Sequence, residues 1–165
     1  MVCHIREKFT INKNTLLRRY IKPEDVEKYV SGEYDAVRGC ISREGDYNDV
    51  GDFEDIFETF RLDYDNTPYH STDKYYWKIE FKTTNKELKK INLDNTYGYE
   101  LGGNNTLHDP CTQNAFTGSK NGKVIPEWNL ENGIEYDDNA LITKIEHGKV
   151  VKQYKFDDGT WRKIK

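Results

Sequence analysis

A guanidinium, two hydroxyls and a carboxylate are the groups in this chain that could work on one ligand. They occur as Arg38 between Val37 and Gly39, as Thr117 and Ser119 on either side of Gly118, and as Glu127. A guanidinium presents parallel donors to two oxygens of a diphosphate. A fixed carboxylate stabilises positive charge that builds on a sugar as its glycosidic bond breaks. Most of these groups fall within 114–128, where Asn121 and Gly122 form the pair best able to adopt positive φ. The spacing predicts a β-hairpin over 115–128 with a type I′ turn, placing Thr117, Ser119 and Glu127 within reach of one ligand. Trp128 and Tyr136 supply rings for stacking on a planar base.

Other chemistries are less well provided for. His4, His70, His108 and His147 are scattered and lack the spacing of a zinc site. His108 and Cys111 lie three apart, but local spacing does not define a nucleophilic dyad. Asp46, Asn48 and Gly51 resemble the start of a calcium loop, yet Val50 and Phe57 stand where oxygen ligands are needed. Asp63 and Asp65 read as turn formers, and no Gly-Lys-Ser/Thr phosphate loop is present. No metal is called for.

The elements that must position the groups follow from pattern. Pro23, Glu24 and Asp25 open a short helix that Gly32 stops. The run from Tyr34 to Ser42 reads as a strand whose Gly39 marks a close backbone approach. Asp52 precedes a second helix over about 53–61, with Phe53, Ile56, Phe57 and Phe60 as its apolar stripe. Tyr75, Trp77, Ile79 and Phe81 alternate with Tyr76, Lys78, Glu80 and Lys82, the period-2 signal of a strand with one face buried. Residues 85–90 read as one helical turn and 94–113 as a long polar loop. Strands near 140–146 and 149–156 meet at His147 and Gly148, and Asp157 to Gly159 turns the chain into a last short strand. Leu16, Leu17, Tyr20 and Ile21 recur at a helical interval near the N-terminus. Helices early and strands late predict an α+β, antiparallel-rich fold.

The chain of 165 residues is the length of one domain, 1–165, and its 12 Tyr, 7 Phe and 3 Trp can fill a core. A net charge of −4 counts against a nucleic-acid partner. Cys3, Cys40 and Cys111 fit no disulfide framework and read as isolated thiols. No apolar run is long enough for a membrane span. The expectation is a soluble protein acting in the cytoplasm, either resident there or delivered as part of a larger secreted one.

Val37-Arg38-Gly39, then Phe116-Thr117-Gly118-Ser119, then Glu127 resembles, in that order, the three-part signature of mono-ADP-ribosyltransferases. The resemblance covers about a dozen positions and is similar also to toxin cassettes that end larger bacterial proteins. It implies a split β-sandwich holding nicotinamide adenine dinucleotide (NAD) as substrate. Arg38 and Gly39 would anchor it, Thr117 and Ser119 would prop the site on a strand led by Phe116, and Glu127 would hold the ribose. Trp128 would stack on the cofactor. Arg43 is a rival to Arg38, and Glu135 to Glu127, because Glu127 follows the hydroxyls closely and lacks a Glu or Gln two positions before it. The implied activity is transfer of ADP-ribose to a protein target or hydrolysis of NAD, with a cognate immunity protein as a further partner. A metal-independent ribonuclease using one of the histidines, and an acidic immunity protein without catalysis, are the alternatives.

Overall fold

The computed structural model describes residues 11–89, 117 and 119–165. Among them seven strands form one antiparallel sheet: β1 (Leu17–Ile21), β2 (Ala36–Arg43), β3 (Tyr75–Phe81), β4 (Trp128–Glu135), β5 (Leu141–Glu146), β6 (Lys149–Asp157) and β7 (Thr160–Lys163). Their spatial order is β4-β2-β1-β3-β5-β6-β7. Three short helices, α1 (Pro23–Val30), α2 (Phe53–Thr59) and α3 (Asn85–Leu88), complete an α+β fold rich in antiparallel pairing.

The sheet curls and carries a core on each face. One holds Leu17, Ile21, Ile79, Phe81 and Ile142 beneath Val26 and Tyr29 of α1. The other holds Tyr20, Tyr47 and Tyr76 beneath Phe53 and Ile56 of α2. Each fully buried large side chain contributes roughly 1.5–3 kcal/mol of transfer free energy. Because β1 lies between β2 and β3 with a core on either side, four of its five residues are buried. That double burial hides the period of 2, and the N-terminal segment expected as a helical turn is a central strand instead.

Two-residue turns with both φ positive, the type I′ signature, occur at His147-Gly148 (51° and 73°) and at Asp158-Gly159 (50° and 78°). The type I′ turn expected at Asn121-Gly122 does not form: only Gly122 has positive φ there (80°), and the Thr117 N–H donates to Ile125 O (2.8 Å) across a wider turn. Asn121 is occupied elsewhere, its Nδ2 donating to Thr59 Oγ1 (2.8 Å) and Asp55 Oδ1 (3.1 Å) on α2. The 94–113 loop, Phe116 and Gly118 lie outside the described residues.

One seam matters for function. β1 and β3 share five register pairs, but β1 and β2 share only two, Leu17 with Arg43 and Arg18 with Ser42. The β4–β2 leaf is thus joined to the rest of the sheet by a narrow hinge of pairing. Cys40 on β2 is disulfide-bonded, which corrects the expectation of three isolated thiols; Cys3 and Cys111 lie outside the described residues. Spacing along a chain does not report distance across a sheet.

Candidate functional site

Beyond Arg18 and Ser42 the two strands part, and a cleft of about 430 Å³ fills the wedge. Arg19, Tyr20 and Ile21 line it from β1, and Gly39, Cys40 and Ile41 from β2. Tyr64 and Tyr69 wall it from the segment after α2, and Glu127 enters from the residue before β4. A volume of this order suits a small organic ligand.

Arg18 stands at the closed end with its side chain 1% exposed. Its Nη1 donates to Tyr47 O (3.0 Å) and lies 3.7 Å from Asp49. Its guanidinium carbon sits 5.5 Å from the Tyr20 and Tyr47 rings and 5.7 Å from the Phe60 ring. Nε and Nη2 have no hydrogen-bond acceptor among the described residues. Burying such donors without partners costs stability, and they lie just beneath the lining of the cleft's closed end. Asp49 steadies this end: Lys78 Nζ donates to both its oxygens (2.9 and 3.2 Å), and the Tyr20 hydroxyl donates to Oδ2 (3.2 Å). Burial pushes the Tyr20 hydroxyl pKa well up, with Arg18 opposing and Asp49 adding to the rise, so it stays a donor.

Arg19 is fixed differently. Its Nη1 donates to Cys40 O (2.9 Å), laying the guanidinium against Gly39. Gly39 has φ of +94°, which favours glycine, and a Cβ there would stand 2.7 Å from Arg19 Cζ and displace the guanidinium. Asp25, at the start of α1, also lines the cleft; burial raises its carboxyl pKa against the pull of Lys22, Arg19 and Lys28.

Glu127 is 4% exposed and held from both sides. Behind it, Thr117 Oγ1 accepts from Ile125 N–H (2.9 Å) and donates to Lys123 O (3.2 Å). Ahead of it, Trp128 pairs with Ile41 and is locked in the core at 1% exposure. The last loop residue before β4 therefore delivers its carboxylate to the seam.

The groups singled out in the sequence divide. Glu127 and Gly39 line the cleft. Arg38 does not: the β2–β4 register shifts between Val37 and Gly39, and Arg38 is exposed, lining a neighbouring hollow that shares Arg19, Asp25 and Tyr34 with the cleft. Arg43 is held by Asp46, Nε and Nη2 each donating at 2.7 Å, and it too lies outside the cleft. Thr117 acts on the backbone leading to Glu127 rather than on a ligand. Ser119 is not part of the lining, and its Oγ is buried without a hydrogen-bond partner among the described residues. Trp128 is too deep in the core to stack on a cofactor. Glu135 is exposed at the far end of β4, its backbone N–H donating to Glu87 (2.8 Å). His70 and His147 are not in the cleft either.

Arg18 and Arg19 are what sequence reasoning missed. The available signal was a pair of arginines amid Leu17, Tyr20 and Ile21, which is unusual for a buried strand, where charged residues are almost never fully buried unpaired. Among the described residues no group of three or more His, Cys, Asp or Glu is arranged to hold a metal, and no helix is long and apolar enough to cross a membrane. Fold and site together define an α+β protein with a cleft opened between two strands, lined by Arg18, Arg19 and Lys22 and by the carboxylates of Asp25 and Glu127. No family model, curated protein or solved structure matches the chain.

Proposed function

We propose that the protein binds NAD in the β1–β2 cleft and breaks its nicotinamide–ribose bond, passing ADP-ribose to water or to a macromolecular acceptor. The observation that carries this reading is Glu127 lining the same cleft as Arg18 and Arg19. As the bond breaks, its electron pair leaves with nicotinamide and positive charge builds on the ribose. A carboxylate held in a largely buried position stabilises that charge more than it would in water. Arg18 and Arg19 both line the cleft, and guanidinium groups suit a diphosphate. Tyr64 and Tyr69 offer ring faces to a base. The anchoring role that the resemblance would give to Arg38 thus passes to β1, while the carboxylate remains Glu127. Depletion of a cofactor on which every cell depends would make the protein toxic to the cell it acts in.

Free nicotinamide, followed by chromatography after incubation with NAD, tests this. Wild type releases it, Glu127→Gln lowers the rate by about 10²–10³-fold, and Glu135→Gln stays near the wild-type rate. No release by wild type, with or without cell extract, or full activity in Glu127→Gln, overturns the proposal.

A further inference from the structure

The overall acidity of the chain hides a segregation of charge. Residues 141–165 carry seven Lys and Arg against three Asp and Glu, in a chain of net charge −4. In register, Lys144 lies directly opposite Lys152, and Lys155 opposite Arg162. Like charges directly opposite one another destabilise an antiparallel pair. None of the seven cations has an ion-pair partner among the described residues. The strands give up stability to keep this charge, and a polyanionic partner would recover it.

One face of this region interleaves cations with rings. Lys144 Nζ sits 4.3 Å from the centre of the Tyr75 ring and 6.0 Å from that of Trp77, and Lys152 Nζ sits 5.4 Å from that of Tyr154. Lys163 is opposite Tyr154, which puts it on the same face. Tyr75 is 43% exposed, and Tyr154 is partly buried. Glu146, opposite Tyr75, is the carboxylate at the rim. The near edge of the face adjoins the cleft, because Trp77 pairs with Ile21, which lines it.

We propose that this face docks single-stranded nucleic acid, with Lys144, Lys152 and Lys163 meeting phosphates and Tyr75 and Tyr154 stacking on bases. Rings set beside cations favour an unpaired strand, whose bases are free to stack, over an acidic protein surface, which has no use for them. A duplex carries denser charge and would meet repulsion from the acidic remainder of the chain. The proposal is independent of the cleft chemistry, and its test uses no NAD.

Fluorescence anisotropy with a labelled oligouridylate of about 12 nucleotides reads the binding directly, a duplex of equal length and poly-L-glutamate serving as comparisons. The oligouridylate binds at low salt, with a log–log salt slope of about −0.7 for each phosphate neutralised. Lys144→Gln with Lys152→Gln weakens it by about tenfold or more and flattens the slope by about 1.4. Tyr75→Ala weakens it severalfold and leaves the slope unchanged. Lys163→Gln, at an exposed position, gives a second reading of the charge contribution, and thermal melts confirm that each variant is folded. Absence of saturable binding at low salt overturns the proposal. So does tighter binding of the duplex, or poly-L-glutamate binding as tightly as the oligouridylate with no effect of Tyr75→Ala, which would make the face a site for an acidic protein.

Discussion

Gly39 leaves the space in which the Arg19 guanidinium lies. Gly39→Ala would force a left-handed backbone onto a residue with a Cβ and push that Cβ into the guanidinium at 2.7 Å. The account predicts a loss of about 1–3 kcal/mol in chemical denaturation, with weaker NAD binding as Arg19 moves; an unchanged midpoint would contradict it. At the closed end, Asp49 and Arg18 should differ in cost. Asp49→Ala leaves Lys78, 9% exposed, with Glu80 at 3.4 Å as its remaining carboxylate and takes the acceptor from the Tyr20 hydroxyl; breaking a buried ion pair costs up to about 3–5 kcal/mol. Arg18→Met leaves Asp49 still bonded to Lys78, so the account predicts the smaller loss of stability and the larger loss of NAD affinity. The opposite ranking in denaturation would show that Arg18 serves the fold rather than a ligand. Glu127 was singled out in the sequence and lines the cleft, although the type I′ turn expected beside it does not form. Arg18 was not, because its environment comes from Tyr47, Asp49 and Phe60, far away in sequence.

At the scale of elements, the loop 117–126 holds Glu127 in place through α2. Lys123 Nζ donates to both Asp55 oxygens (2.7 and 2.8 Å), Lys120 pairs with Asp63, and the Tyr47 hydroxyl donates to Asp55. Burial alone would raise the Asp55 carboxyl pKa, but the bonds from Lys123, Tyr47 and Asn121 outweigh it and hold it below the ordinary value. A carboxyl whose folded pKa is depressed stabilises the fold fully above its unfolded pKa, about 3.9, and that contribution is lost as pH falls through the folded value. The Thr117 and Ile125 amide resonances should therefore hold steady from neutral pH down to about 5 and shift below about 4. A transition near neutral pH would contradict this. α1 and α2, each with one buried stripe, could be read from their periodicity, and β3 from the alternation of Trp77, Ile79 and Phe81 with Lys78 and Glu80, although its other face is buried as well. β1 could not, being buried on both faces, and the Asn121 turn could not, because Thr59 and Asp55 on a distant helix claim its side chain.

At the scale of the molecule, the two-pair seam between β1 and β2 is the weakest join in the sheet and the wall of the cleft. A ligand that bridges β1 and Glu127 should tie the β4–β2 leaf to the rest. Hydrogen exchange at residues 19–21 and 39–41 should slow when NAD is added to Glu127→Gln, while β5 and β6 are unaffected. Uniform slowing, or none, would mean that the seam is not where the ligand acts. Composition captured the average charge and the aromatic supply of the core. It could not show that Lys144 faces Lys152 or that Lys155 faces Arg162, since that depends on strand register.

The most direct test of the central claim is a structure of Glu127→Gln soaked with NAD. The account predicts the diphosphate against Arg18 and Arg19 and the nicotinamide ribose beside residue 127, between β1 and β2. A dinucleotide bound elsewhere, or a cleft that stays empty at saturating NAD, would contradict it.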